Sequence, residues 1–314
     1  MTLATDNRKP GPLLAYAQVV RLPNLFTAAA DPLMGALFVL PVAEPLNMWL
    51  LACVAVASVL LYAGGAALND VFDAERDGRH RPERPIPAGS ISLQAARSLG
   101  IGLLLGGVVL CLVASGLVGH IGPAVVGLLL AGCVVLYDAY AKTTLLGPAT
   151  MGLCRMLNVL LGMSLGATPW QTQHWLVAAA VGVYIAGVTC FARKEAGESR
   201  RTALAGGLTV MLAGIAALAF LPSTSVELTP LLQAQPQRWY LMMVVLAMLT
   251  GWRFLRAVLD PRPALVQQAV VLGVLSLVLL DAAVVYAVRD MPTAVMVLLL
   301  VAPAMLLGRL VRMT

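Results

Sequence analysis

Charge is scarce in this 314-residue chain: Asp, Glu, Lys and Arg make up 11% of it, against roughly 25% in a soluble globular domain. With 60% hydrophobic residues and a mean hydropathy of +0.88, the scarcity excludes a soluble domain and leaves a polytopic membrane protein. Paired cysteines are missing too. Cys53, Cys111, Cys133, Cys154 and Cys190 lie singly in apolar stretches, without a CxxC spacing or an adjacent His. That excludes a zinc or dithiol motif, and they read as small core residues. No Ser/Gly-rich linker or shift of composition divides the chain. One transmembrane domain is therefore expected over 21–314, after an N-terminal segment 1–20. The start Met1–Pro12 lacks a cleavable apolar core, so no removable signal peptide is expected.

Ten apolar stretches are long enough for a hydrocarbon layer of about 30 Å. They are Asn24–Leu40, Trp49–Asn69, Ala96–Leu117, Ile121–Ala139, Pro148–Ala167, His174–Ala192, Leu204–Leu221, Trp239–Val258, Val266–Val288 and Met291–Arg309. The expected fold class is all-α, a polytopic bundle of nine or ten spans. With the N-terminus inside, eighteen of the 21 Lys and Arg fall in cytoplasmic segments, Arg238 and Arg289 fall outside, and Arg155 lies within a span. Such a bias sets orientation. The expected setting is a bacterial-type inner membrane crossed many times, with the N-terminus cytoplasmic. The net charge of +6 then reflects topology and anionic lipid, not nucleic acid.

Two polar stretches interrupt the apolar pattern at predicted cytoplasmic ends. The first, Asn69-Asp70-Val71-Phe72-Asp73-Ala74-Glu75-Arg76-Asp77, follows the run Trp49–Leu68. If the second helix continues one or two turns, Asn69, Asp73 and Asp77 stand at i, i+4 and i+8 on one face, with Asp70 one position round. Acids at a membrane helix end usually face a wet cavity, a partner or an ion, and three oxygens on one face suit Mg²⁺, completed by water and phosphate oxygens. Arg81 and Arg84 follow between Pro82, Pro85 and Pro87, and guanidinium groups match phosphate bidentately. Acids for a metal beside arginines for an anion describe a diphosphate pocket; a merely solvated charge run is the plainer alternative. The second stretch, Arg193–Arg201, is expected to meet the first over one cavity. Lys142, after Tyr137-Asp138-Ala139-Tyr140, either snorkels to headgroups or binds an anion. Arg155 is either an anion contact or a structural partner of Asp31 or Asn158. Gly100, Gly106, Gly162 and Gly166 read as helix-packing positions, with a widened tail tunnel as the alternative.

The run NDVFDAERDGRHRPERPIPAGSIS, residues 69–92, resembles the first motif of the UbiA superfamily of intramembrane prenyltransferases and its continuation. Arg21-Leu22-Pro23-Asn24 and the Tyr137 to Lys142 stretch extend the resemblance over most of the chain. It implies a helical bundle around a central cavity, in which Mg²⁺ and cations draw charge onto the leaving diphosphate of a polyprenyl donor. An aromatic or other hydroxylated acceptor, small molecule or lipid, would capture the allylic cation. Carried over by position, Asn69, Asp70, Asp73 and Asp77 become metal ligands, with Asp73, Asp77 and Lys142 at the chemistry. Arg21, Asn24, Arg81 and Arg84 become diphosphate contacts, joined as candidates by Arg155 and Lys194. The second motif departs from the family's Asp-rich form: Phe191-Ala192-Arg193-Lys194-Glu195-Ala196-Gly197-Glu198-Ser199 offers Glu195 and Glu198 as substitute ligands. This run, with Cys154-Arg155-Met156-Leu157-Asn158, is similar to the EboC-like branch. The departure motivates an alternative function, a non-catalytic membrane carrier for a prenyl- or phosphate-bearing lipid. A secondary transporter would instead show broken helices at mid-membrane. A homo-oligomer is compatible with either reading.

Overall fold

The computed structural model describes residues 11–167, 169–193 and 201–311. Those residues form helices α1 (Pro12–Val19), α2 (Leu25–Val39), α3 (Met48–His80), α4 (Leu93–Val118), α5 (Gly122–Ala139), α6 (Gly147–Met163) and α7 (Thr172–Ala192). They continue as α8 (Arg201–Leu218), α9 (Pro230–Ala234), α10 (Gln237–Leu259), α11 (Pro263–Val288), α12 (Met291–Leu298) and α13 (Val301–Leu310). Among the described residues nine helical stretches are long and apolar enough to cross a membrane. The fifth predicted span, α6, falls just short at 17 residues, about 25 Å of helix. The last is broken at Leu299-Leu300 into α12 and α13.

Depth in the bundle separates the spans. The most apolar windows of α3 and α11 are each 61% buried, whereas those of α4 and α12–α13 are 22% and 17% buried, leaving Leu105, Leu112, Leu117 and Leu306 exposed where lipid tails would lie. Close approach depends on glycine. A Cβ on Gly162 would stand 2.0 Å from the Pro32 carbonyl oxygen, and one on Gly35 would stand 2.2 Å from that of Val159. The α2 and α6 backbones therefore touch. The packing role expected for Gly100 and Gly166 is met, since a Cβ at each would come within 2.8 and 3.2 Å of Leu68 and Val39.

Pro32 sits inside α2 and has no N–H for the carbonyl four residues back. In a membrane that oxygen needs another donor. It receives two: Ser58 Oγ from α3 at 2.7 Å and Asn158 Nδ2 from α6 at 2.9 Å both donate to the Ala28 carbonyl. Asn158 also donates to Asp31 Oδ2 at 2.9 Å, and Arg155 Nη1 pairs with the same oxygen at 2.9 Å and donates to the Thr27 carbonyl at 3.1 Å. The crossing of α2 and α6 is thus pinned by a polar cluster at the deepest part of the bundle. Arg289, one of two basic residues against the charge bias, is likewise committed: its guanidinium donates to the carbonyls of Leu37, Leu40 and Pro41 at the exposed end of α2.

Two details were hidden in the sequence. The N-terminal segment includes α1, whose Ala15 and Val19 pack with Ala67, Ile91 and Ala96 beneath the loop after α3. The cysteines are not all single, because Cys154 Sγ lies 3.3 Å from Cys133 Sγ between α5 and α6, both thiols free.

Candidate active site

The continuation of α3 creates the site. Beyond the apolar run, Ala74, Glu75 and Arg76 are good helix formers, Glu75 pairs with Arg79 at 2.5 Å one turn on, and the helix stops at His80, two residues before Pro82. Asn69, Asp70, Asp73 and Asp77 all project from this last stretch, with Asp70 and Asp77 buried and Asn69 and Asp73 half-buried.

Three cations from three other segments meet them. Lys142, on the short turn Ala141–Thr143 after α5, donates to Asn69 Oδ1 at 3.0 Å and pairs with Asp73 Oδ1 at 2.9 Å. Arg84 pairs with Asp77 Oδ2 at 2.8 Å and with Asp70 Oδ1 at 3.5 Å. Its loop is fixed by Ile86 and Ile91, which pack against α1 and α3, and by the turn Arg84-N to Arg81-O at 3.1 Å. Arg21 reaches Asp70 Oδ1 at 4.0 Å from the turn between α1 and α2. It is the only described non-glycine residue with positive φ, at 52°, a strained conformation that sites tend to concentrate. Burial works against the Arg21 charge, but Tyr62, Asp70 and Asp138 outweigh it and hold the guanidinium above its usual range.

The single acid face therefore divides. Asn69 and Asp73 turn to Lys142, while Asp77 joins Asp70, seven residues back and only about 20° away on the helical wheel, in facing Arg84. Asn69, Asp73 and Asp77 keep the helical spacing expected of one face, but two different cations hold them. Among the described residues no three acids converge closely enough to hold an ion. The donor set nonetheless fits Mg²⁺: one amide and three carboxylates are hard oxygen ligands, and such ions keep water and substrate phosphate as their remaining partners. Asn69, Asp70, Asp73 and Asp77 would hold the metal as a half-site, and the cations now on them would be released to an incoming anion.

A profile of the UbiA prenyltransferase family matches residues 32–270. The chain belongs to the UbiA prenyltransferase family. Two curated UbiA-type relatives are digeranylgeranylglyceryl phosphate synthases, from Saccharolobus solfataricus (40% identical over 98 residues, 31% of this chain and 34% of that one) and Methanoculleus marisnigri (39% over 94 residues, 30% and 32%). The matched segment spans about a third of the length of these relatives. Among solved structures, one described for digeranylgeranylglyceryl phosphate synthase in membranes is similar with a TM-score of 0.63 at 19% identity, over 90% of this chain and 99% of that one. A UbiA homologue from Archaeoglobus fulgidus bound to GPP and Mg²⁺ is similar with a TM-score of 0.60 at 12% identity, over 86% and 99%. The fold is the UbiA fold, an all-helical multi-pass membrane bundle.

Within that UbiA bundle the candidates separate. Asn69, Asp70, Asp73, Asp77, Arg84, Lys142 and Arg21 are brought together. Asn24 stands at the edge, donating to the Tyr62 hydroxyl at 3.2 Å. Arg81 does not join: it is exposed and makes no ion pair among the described residues. Of the two readings of Arg155, its contacts are those of the structural partner: Asp31 and the Thr27 carbonyl hold its guanidinium. Lys194, Glu195 and Glu198 lie outside the described residues. Their neighbour Arg193 donates to the Thr144 carbonyl at 2.5 Å, so the end of α7 does reach the loop that carries Lys142.

Sequence reasoning missed one acid of this site. Asp138 is 4% exposed near the end of α5, and Lys142, Arg21, Asp73 and Asp70 are its charged neighbours. Its closeness in sequence to Lys142 was the available signal.

Proposed function

We propose that the protein is a Mg²⁺-dependent intramembrane prenyltransferase that moves a polyprenyl group from its diphosphate to an aromatic or other hydroxylated acceptor. The observation that carries the reading is the convergence of Arg21, Arg84 and Lys142 on the acid turn of α3. Guanidinium and ammonium groups are worth most where charge develops in a water-poor site. Arg84 and Arg21 would bind the diphosphate oxygens, and Lys142 would donate to the oxygen that leaves the allylic carbon. Bound Mg²⁺ would supply Lewis-acid charge to the same diphosphate. The apolar interior below Asn69 would take the prenyl tail and keep water from the allylic cation.

The eighteen-to-two distribution of basic residues supports placing this end of the bundle, and the N-terminus, on the cytoplasmic side of a bacterial-type inner membrane. The test is pyrophosphate release by the purified protein in detergent, with Mg²⁺, a panel of prenyl diphosphates and candidate phenolic, quinoid and lipid acceptors, beside Asp73→Ala. Release that needs both Mg²⁺ and Asp73 is expected. Saturable Mg²⁺-dependent binding without release would overturn it in favour of a carrier, the reading motivated by Glu195 and Glu198 where the family's second Asp-rich run stands.

A further inference from the structure

Five acids lie on α3 and α5, and the four on α3 all have basic partners. Asp70, Asp73 and Asp77 each have a basic partner within 4.0 Å, and Glu75 is paired on the surface with Arg79. Asp138 differs on both counts. It is 4% exposed, yet among the described residues its carboxylate makes no hydrogen bond and no ion pair. Lys142, four residues on in the turn after α5, spends its ammonium on Asn69 and Asp73 instead. A nearly enclosed carboxylate without a protein partner leaves its oxygens open to a donor from solvent or from a ligand.

Its depth says what that donor would be. Asp138 Oδ2 lies 3.6 Å from where a Cβ on Gly65 would stand. Gly65 is one turn before Asn69 on α3, so the carboxylate sits about 6 Å to the apolar side of the Asn69–Lys142 contact. Gly65 itself admits the approach of α5, since a Cβ there would meet Val134 Cγ1 at 2.4 Å. A diphosphate held by Arg84, Arg21 and Lys142 would place its allylic carbon on this apolar side, between the anion site and the tail.

We propose that Asp138 accepts the hydroxyl proton of the prenyl acceptor. The inference rests on the prenyl-transfer reading and assigns the acceptor an O–H group rather than a carbon nucleophile. The allylic C–O bond breaks and its electron pair leaves with the diphosphate. A lone pair of the acceptor oxygen forms the new C–O bond, the O–H pair stays on that oxygen, and the proton passes to Asp138 Oδ. The proton then leaves to water at the polar end. A residue in this role acts after ionisation, so its loss separates donor chemistry from acceptor capture.

The experiment compares wild type, Asp138→Asn, Asp138→Glu and Asp73→Ala. Geranyl diphosphate with Mg²⁺ is the donor probe and a panel of phenols and glycerol-backbone alcohols the acceptor probe; pyrophosphate, prenylated product and prenyl alcohol are quantified separately. Asp138→Asn is expected to release pyrophosphate within about threefold of wild type. Its prenylated product should fall about a hundredfold, the loss typical of a missing proton acceptor, with prenyl alcohol rising in its place, and Asp138→Glu should restore part of the product. An unchanged ratio of product to alcohol in Asp138→Asn overturns the inference. So does a loss of pyrophosphate release matching that of Asp73→Ala, which would put Asp138 in the ionisation step. Wild type that releases pyrophosphate but prenylates no hydroxyl acceptor overturns the inference and leaves ionisation standing. Wild type that releases none overturns the prenyl-transfer reading and the inference with it.

Discussion

At the end of α3, Asp73 meets Lys142 at 2.9 Å with 20% and 14% of the two side chains exposed; at the α2–α6 crossing, Asp31 meets Arg155 at the same 2.9 Å with 0% and 9% exposed. Equal distances hide opposite situations. Arg155 also holds the Thr27 carbonyl and the Thr27 hydroxyl, and Asp31 also accepts from Asn158, which serves the carbonyl that Pro32 leaves open. Both donors to Asp31 are tied to backbone carbonyls of α2, so neither can be exchanged without disturbing the helix crossing. Lys142 and Arg84, by contrast, each bridge two side chains of one part-exposed helix end, and the one backbone contact there, Lys142 to the Asn69 carbonyl, is long at 3.5 Å. Their ion pairs can be traded for phosphate oxygens at little structural cost. An ion pair reads as architecture or as chemistry from what else its members hold.

The sharpest way to break this comparison is Arg155→Ala. It leaves Asp31 buried without its cation, and stranding one member of a buried pair costs about 3–5 kcal/mol. Thermal unfolding in detergent should show that loss, and Asp31→Leu combined with Arg155→Met should recover part of it. A single variant within about 1 kcal/mol of wild type would dissolve the distinction between the two regions.

Asp73→Ala should do the reverse, leaving stability within about 1 kcal/mol of wild type because a part-exposed pair contributes little. Mg²⁺-dependent pyrophosphate release should fall about 10²–10³-fold, or roughly 3–4 kcal/mol of transition-state stabilisation. A variant that unfolds and loses activity together would make the α3 end structural as well. Lys142→Ala sharpens the same contrast at smaller amplitude. Release should drop about tenfold to a hundredfold at saturating donor, and the midpoint of thermal unfolding should stay near that of wild type.

How much of this was legible beforehand follows from which forces leave a periodic trace. The spans were readable because each must be apolar over about 20 residues, and the ten predicted stretches all became helices. The acid turn was readable because Asn69, Asp73 and Asp77 follow helical spacing, and α3 does run on through them to His80. Partner choice left no such trace. That Asp77 turns with Asp70 to Arg84 depends on a loop anchored by Ile86 and Ile91, and that Arg155 belongs to Asp31 depends on the backbone contact at Gly35 and Gly162. Asp138 stood in plain view beside Lys142, but its lack of a partner is a fact of three dimensions. Asp281 passed unnoticed inside an otherwise apolar span.

Asp281 gives the smallest and most discriminating test. It lies against Asp31 at the bundle centre, fully buried and close enough for a carboxyl–carboxyl hydrogen bond, and among the described residues no other group bonds its oxygens or Asp31 Oδ1. Arg155 is spent on the other oxygen of Asp31. Asp281→Asn keeps the shape, and its N–H₂ group can donate to Asp31 in place of the carboxyl–carboxyl bond without requiring a proton, so nothing is stranded. The unfolding midpoint should stay unchanged or rise by the equivalent of up to about 1 kcal/mol, while Asp31→Asn, which weakens the grip on Arg155, should lower it by several times that amount. A comparable loss from both substitutions would mean that the guanidinium is shared between the two acids, and that the cluster at the α2–α6 crossing extends into α11 as one structural unit.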